Sequence, residues 1–317
     1  MGGPEEYLSK LYRLGILFPK LRLSPGRPKQ AMKRVIFNQK GGVGKTSITS
    51  NLAAAFAKSG KKTLVVDLDS QANLSKYLLG DRMDSVSNTV ADFFASTLSF
   101  RLFQDSLQET IYPTDYDNLY TIPADDSLKE LQPKLEGRYK IFKLGEAIDV
   151  AAEKLGFEEI LFDTPPALNF YSMSALMAVD KVLIPFDCDA FSADAIQQVM
   201  EAVEEVKEDH RPNLEVEGII INHFQAQAKL PTQIIDDLIE EGLTVLSPYL
   251  SSSVIMRESH SVGVPLPFFK ANHKLTKDFM GLAEVLMKNS LGSLEDSKPK
   301  AKKRGASRRS KESSKDL

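Results

Sequence analysis

The amino-acid sequence predicts an α/β protein with a doubly wound, mostly parallel sheet and helices on both faces. Short, almost continuously apolar segments alternate along the chain with longer segments whose apolar residues recur at helical spacing. Polar residues follow the ends of several apolar segments. Strands that are buried on both faces are typical of parallel sheets, which bind ligands outside the carboxyl ends of their strands. The sequence therefore predicts a ligand site at one edge of the sheet.

The elements can be placed along the chain from this alternation. The predicted strands lie at residues 35–37, 62–67, 118–123, 160–163, 181–185 and 216–222, and the predicted helices at 48–58, 73–79, 139–155, 191–206, 231–241 and 275–288. Residues 81–117 give a weaker pattern, in which Phe93, Phe94, Phe100 and Phe103 suggest short helices packed on the sheet.

The segment Gln39–Thr46, Gln-Lys-Gly-Gly-Val-Gly-Lys-Thr, has the composition and setting of a phosphate-binding loop, between a strand and a helix. Its glycines, Gly41, Gly42 and Gly44, allow the backbone to wrap around an anion with its N–H groups inward. Lys45 is expected to contact the β- and γ-phosphates, and the Thr46 hydroxyl to bind Mg²⁺. The loop departs from the usual spacing because Gln39 replaces the first glycine and a second lysine, Lys40, follows it.

Acidic residues follow two of the predicted strands. Asp163 ends the strand at 160–163, where a carboxylate would suit a Mg²⁺ site opposite Thr46. Asp67 ends the strand at 62–67 and Asp69 follows two residues later. At least one of them is expected to face the nucleotide and to orient or deprotonate the attacking water. The alternative is that these two acids cap the helix that begins at Asn73.

Composition indicates one domain with a terminal extension on either side. We expect an extension at residues 1–31, one α/β domain at 32–290 and a disordered basic tail at 291–317. The extension is either a short docking helix or an untranslated stretch before Met32. The chain has one cysteine, Cys188, and a formal net charge of −3, although residues 298–311 contain eight Lys and Arg and no acid. No apolar run is long enough to span a membrane, so a cytoplasmic protein is expected.

In combination, these motifs resemble those of the ParA family, the ATPases with a deviant Walker A loop that segregate DNA or position other cargo. The resemblance rests on Lys40–Thr46, on Asp67–Asn73 and on Asp163–Pro166, and it extends over roughly residues 33–288. It implies a P-loop NTPase fold, ATP and Mg²⁺ as ligands, and an ATP-sandwich homodimer. It also implies that hydrolysis releases the dimer from nucleoid DNA after stimulation by a ParB-like or other adaptor.

The resemblance also implies residue roles. Lys40 resembles the signature lysine that touches the partner subunit's nucleotide, and Asp69 resembles the acid that activates water. The family pattern assigns the phosphates to residues 40–46, including Val43, and the α-phosphate to Ser47. It assigns Mg²⁺ to Thr46 and Asp163. Asn222 matches a position that reads the adenine edge in related dimeric ATPases.

The chain departs from the family where arginines commonly contribute to DNA binding. Gln227 and Ile255 occupy two of these positions, and Ser251 and Ser252 stand where a Pro-Arg pair is common. Non-specific DNA binding through the tail at 298–311 is therefore an alternative to binding through the folded face. A MinD-like ATPase that cycles on membranes is a second hypothesis, although the tail lacks an apolar stripe. A non-hydrolysing DNA-binding regulator is a third.

Overall fold

The computed structural model describes residues 31–98, 107–138, 140–188 and 193–296. In these ranges, eight strands form one sheet. The strands are β1 (Met32–Ile36), β2 (Thr63–Asp67), β3 (Tyr112–Pro113), β4 (Leu119–Ile122), β5 (Glu159–Asp163), β6 (Lys181–Asp187), β7 (Glu215–Asn222) and β8 (Val245–Leu246). Their order is β3-β4-β2-β5-β1-β6-β7-β8, and only the pair of β3 and β4 is antiparallel. The predicted mostly parallel sheet is confirmed.

Helices cover both faces of this sheet. In the described ranges they are α1 (Lys45–Lys58), α2 (Asn73–Leu79), α3 (Val90–Leu98), α4 (Leu128–Glu136), α5 (Lys143–Leu155), α6 (Phe170–Ala178), α7 (Ala193–Asp209), α8 (Lys229–Glu240), α9 (Val254–Val262), α10 (Leu266–Phe269) and α11 (Lys274–Asp296). Ile36, Leu161 and Leu183 point to the face that packs on α1 and α11. Val35 and Phe162, which are adjacent in sequence to Ile36 and Leu161, point to the opposite face and to the core under α3 to α7.

The six predicted strands are present as β1, β2 and β4 to β7, but two strands were missed. β3 and β8 contain two residues each, which is too short for an alternation to be visible. The helix expected from residue 139 begins at Lys143, because a turn closed by the Lys143 N–H and the Lys140 carbonyl precedes it. The C-terminal helix α11 continues beyond the expected end, to Asp296.

Some of the sequence predictions concern residues outside the described ranges. They are the possible helix within residues 1–31, of which only residue 31 is described, the packing of Phe100 and Phe103, and the tail at 298–311. Phe93 and Phe94 do lie on a short helix, α3, and are buried. None of the helices in the described ranges combines the length and the apolar character needed to cross a membrane.

A buried arginine joins the sheet to the last helix. Arg34 of β1 is fully buried and donates to Glu159 of β5 at 2.5 Å and to Glu217 of β7 at 2.6 Å. It also donates to the Leu286 carbonyl at 3.1 Å and to the Ser290 hydroxyl at 2.7 Å, both on α11. Burial disfavours its charge, but the two carboxylates outweigh burial and raise the pKa of the guanidinium. Arg34 therefore connects three strands and α11 through one set of charged hydrogen bonds.

Removing this arginine should destabilise the fold strongly. We expect Arg34→Met to lower the free energy of unfolding by about 3–5 kcal/mol, because two carboxylates would stay buried without their cation. Urea denaturation followed by circular dichroism measures the change. The control is Lys207→Met, whose partner Glu204 is exposed on the same helix, and whose expected cost is below about 1 kcal/mol. Equal costs for the two variants would contradict this account of Arg34.

Candidate functional site

The phosphate loop connects β1 to α1 at the carboxyl edge of the sheet. Asn38 fixes its start, because its amide donates to the Pro185 carbonyl of β6 at 2.8 Å and its side-chain oxygen accepts the Lys40 N–H at 2.9 Å. Sequence analysis did not identify Asn38, although an asparagine that bonds the N–H two residues ahead is a common turn device. The loop is thus anchored to the strand next to its own.

Two glycines adopt backbone conformations that other residues avoid. Gly42 has φ of 80° and Gly44 has φ of 90°. Gly44 precedes α1, and no side chain caps the first N–H groups of that helix. Uncapped N–H groups and the helix dipole together favour an anion at this point. The loop therefore has the geometry of a phosphate site.

Lys45 lies inside the loop. Its ammonium donates to the Lys40 carbonyl at 2.9 Å, and the residue is 7% exposed. Burial lowers the pKa of Lys45, whereas the carboxylates of Asp163 and Asp69 act in the opposite direction. Both predicted catalytic-site acids therefore lie close enough to Lys45 to affect its charge.

Asp163 meets the start of α1. The Thr46 hydroxyl donates to Asp163 Oδ2 at 2.7 Å. The Thr49 hydroxyl, which donates to the Lys45 carbonyl at 2.9 Å, lies 3.4 Å from Asp163 Oδ1. Burial raises the pKa of Asp163, and the neighbouring carboxylate of Asp67 raises it further. Mg²⁺ prefers oxygen ligands, and the Thr46 hydroxyl and the Asp163 carboxylate are two such ligands side by side. The nearby Asp67 carboxylate adds negative charge that a cation would neutralise. The donor set therefore fits the predicted metal.

Asp67 and Asp69 have different surroundings. Asp67 is fully buried and accepts the Ser75 N–H at 2.9 Å, the Ser75 hydroxyl at 2.6 Å and the Asp69 N–H at 3.0 Å. Burial raises its pKa despite these bonds. Asp69 is partly exposed and accepts the Gln71 N–H at 2.9 Å. Asp67 thus accepts an N–H group from the first turn of α2, as the capping alternative requires. Asp69 makes no such contact in the part of the chain that the structure describes, and it stays accessible.

Asn222, at the end of β7, contacts the phosphate loop. Its amide nitrogen donates to the Val43 carbonyl at 3.0 Å, and a Cβ added to Gly44 would lie 2.3 Å from that nitrogen. Gly44 is therefore required both for its backbone conformation and for this close approach. A cavity of about 390 Å³ opens beside Asn222. Its lining includes Ser47, Ile48, Asn222, His223, Ser251, Ser252, Ser253, Val254, Met256, Arg257, Leu275 and Phe279.

The remaining predicted site residues can now be placed. Lys40 is partly exposed on the outer part of the loop, next to the exposed Gly41 and Gly42. Ser251 and Ser252 line the cavity, Ile255 packs against the core, and Gln227 is exposed. The structure thus brings the phosphate loop, Asp69, Asp163 and Asn222 to one edge of the sheet. The adenine-reading role of Asn222 and the trans role of Lys40 remain predictions.

Comparison with known proteins agrees with this geometry. A family model described as an AAA domain matches residues 32–216. The chain is similar to the chromosome partitioning protein ParA of Myxococcus xanthus, with 31% identity over 80% of this chain and 87% of that protein. It is 28% identical to the sporulation initiation inhibitor protein Soj of Bacillus subtilis over 80% of this chain and 97% of that protein.

A solved structure shows the same fold. The septum site-determining protein MinD of Pyrococcus horikoshii, in complex with Mg-ADP, matches with a TM-score of 0.64 and 26% identity. The match covers 82% of this chain and 97% of that one. The family model spans more than half of the sequence, and the similarity to ParA extends well beyond it. On these grounds the chain belongs to the ParA family of P-loop ATPases.

Proposed function

We propose that this protein hydrolyses ATP slowly and uses ATP-dependent dimerisation to partition or position DNA or another intracellular cargo. The observation that carries the proposal is the presence of two lysines with different surroundings in one phosphate loop. Lys45 is buried and bonded within its own loop, whereas Lys40 lies on the partly exposed outer part beside two exposed glycines. This difference supports a role for Lys45 at the nucleotide of its own subunit and a role for Lys40 at the nucleotide of a second copy.

ATP and Mg²⁺ are the ligands that this site would hold. The N–H groups of residues 41–46 and the start of α1 would bind the phosphates, with Lys45 at the β- and γ-phosphates and Ser47 near the α-phosphate. Thr46 and Asp163 would hold Mg²⁺, and when bound this ion would neutralise charge on the phosphate oxygens. The Mg-ADP complex of the related MinD supports this assignment.

Asp69 is the residue that we assign to the attacking water. Its carboxylate is partly exposed and lies within the electrostatic reach of Lys45, so it can accept a proton or orient water at the γ-phosphate. Asp67 is unsuited to this role because Ser75 and the Asp69 N–H already occupy its oxygens. Hydrolysis would remove the γ-phosphate that Lys40 of the second subunit contacts, and the dimer would separate.

Cargo binding is proposed to involve non-specific DNA, with a ParB-like or other adaptor that stimulates hydrolysis. The relatives named as chromosome partitioning proteins support this class of cargo. Two of the positions where the family commonly has arginines hold the neutral Gln227 and the packed Ile255, and Ser251 and Ser252 replace a common Pro-Arg pair. We therefore assign the phosphate contacts of DNA to the eight cations of residues 298–311. The ATP form would then be associated with the nucleoid in the cytoplasm.

The two lysines should separate nucleotide binding from dimerisation. We expect Lys45→Gln to weaken ATP binding at least tenfold, because an ion pair with the phosphates is lost. Lys40→Gln should still bind ATP but stay monomeric in light scattering with a non-hydrolysable analogue. Lys76→Gln is the control, since Lys76 is an exposed lysine of α2 that donates to the Gln71 carbonyl. Normal dimers of Lys40→Gln would refute the trans role.

Asp69 should affect turnover without affecting assembly. We expect Asp69→Ala to bind ATP and dimerise, while its rate of phosphate release falls about 100-fold, a typical effect of losing a general base. Asp81→Ala, at an exposed position beyond α2, should hydrolyse ATP like the unaltered protein. Unchanged turnover in Asp69→Ala, measured with DNA present, would contradict the assignment.

The tail should account for most of the salt dependence of DNA binding. If about six of its cations meet phosphates, log K should fall with log[salt] at a slope of roughly −5. Removing residues 297–317 should reduce that slope to near zero, whereas replacing the acids of the tail with neutral residues should preserve it. Steep salt dependence after removal would place DNA on the folded face. ATP-dependent binding to liposomes by the truncated protein would instead favour the MinD-like hypothesis.

A further inference from the structure

We infer that His223 selects the base of the nucleotide, and that it favours a 6-amino purine over a 6-oxo purine. The inference rests on the proposed function, in which a purine nucleotide occupies the phosphate loop and the adjoining cavity. It concerns a different residue from the phosphate and metal contacts. His223 lines the same cavity as Ser47 and Asn222, and it follows Asn222 directly in the chain.

The backbone of His223 is held in an uncommon conformation. Its φ is 52°, in the left-handed region that residues other than glycine seldom occupy. Asp187 and Asn222 are paired residues at the ends of β6 and β7. His223 Nδ1 lies 3.0 Å from Asp187 Oδ2. The strained backbone and the neighbouring carboxylate therefore fix the ring at the mouth of the cavity, and such strain is found preferentially at functional positions.

The carboxylate determines which ring nitrogen has the proton. An ionised carboxylate only accepts hydrogen bonds, so Nδ1 must be the donor in its contact with Asp187. In the neutral imidazole the other nitrogen is then an acceptor. Nε2 lies 3.5 Å from the Asn222 amide nitrogen, which is the outer limit of a hydrogen bond. Nε2 can therefore accept a stronger bond from a ligand.

The orientation of Asn222 adds a second acceptor at this position. The Val43 carbonyl only accepts, so the amide nitrogen of Asn222 must face it, and the amide cannot be flipped. The side-chain oxygen of Asn222 consequently points away from this bond. The amino group of adenine would donate to these acceptors, whereas the carbonyl oxygen of hypoxanthine or guanine would place a lone pair against Nε2. This difference is the physical basis of the selection.

Apart from Arg257, the other lining residues can contact a nucleoside but do not distinguish a 6-amino purine from a 6-oxo purine. The exposed Val254 and the half-buried Met256 supply apolar surface for the faces of a ring. The hydroxyls of residues 251–253 can each donate or accept, so they accommodate either base edge. Arg257 also lines the cavity and only donates, so it would favour a 6-oxo purine. Arg257 is therefore the competing determinant that an experiment has to separate from His223.

The test compares ADP with inosine diphosphate, which differ at position 6 and at the adjacent ring nitrogen, by calorimetry with Mg²⁺. Diphosphates avoid both turnover and ATP-dependent dimerisation. We expect the unaltered protein to bind ADP about tenfold more tightly, the effect of one hydrogen bond made or lost. In His223→Gly the ratio should fall to within about threefold, mainly because ADP binds more weakly. Glycine adopts the left-handed conformation without strain, so this variant removes the ring alone.

Three further measurements complete the test. His210→Leu changes an exposed histidine whose ring contacts that of Phe142. This control variant should keep the tenfold preference for ADP over inosine diphosphate. Asp187→Leu should lose the preference because either nitrogen of the ring could then have the proton. Purine riboside diphosphate, which has only hydrogen at C6, should bind the unaltered protein with intermediate affinity. Equal binding of pyrophosphate by all variants would show that the phosphate loop is intact.

The outcomes distinguish this inference from the proposed function. If the unaltered protein binds neither ADP nor inosine diphosphate, the proposed function fails. If ADP binds but His223→Gly keeps the full preference, only the role of His223 is overturned. A preference that is lost in Arg257→Gln and kept in His223→Gly would assign base selection to Arg257 instead, and would likewise overturn the inference.

Discussion

The register of β5 between β1 and β2 is the constraint on which the site depends. It places Asp163 opposite Ile36 on one side and opposite Asp67 on the other. Because paired residues of parallel strands point to the same face, both carboxylates lie on the face that α1 covers. Asp163 accepts from Thr46 at the start of α1, and Asp67 accepts from Ser75 in the first turn of α2. A shift of one residue would turn Asp163 to the opposite face and separate it from the phosphate loop.

Buried charges are balanced differently at the amino and carboxyl ends of the strands. Near the amino ends of the strands, Arg34 is matched by Glu159 and Glu217, and its remaining donors reach α11. At the carboxyl end, burial raises the pKa of Asp67 and of Asp163, and the Asp67 carboxylate raises that of Asp163 further, whereas burial lowers the pKa of Lys45. Next to α11, the charges of the arginine and the two glutamates balance one another within the protein. At the site, a bound phosphate and a bound cation would complete the charge balance.

Sequence reasoning was successful where the signal was local. The long strands and the phosphate loop were predicted because burial and anion binding each require a contiguous pattern of residues. The two-residue strands were missed because they have no such pattern. Asn38, Asp187 and His223 were also missed, since their roles depend on contacts between neighbouring strands. The approach of Asn222 to Gly44 joins residues far apart in the chain, and no spacing in the sequence indicates it.

The contact between Lys45 and Lys40 links the two lysines that the proposed switch requires. In the structure the Lys45 ammonium donates to the Lys40 carbonyl. The ammonium has three N–H donors, so a nucleotide phosphate and the Lys40 carbonyl can both accept from it. The Lys40 N–H also donates to the side-chain oxygen of Asn38. A phosphate bound to Lys45 would therefore be one hydrogen bond away from the backbone of Lys40, the residue proposed to contact the other subunit.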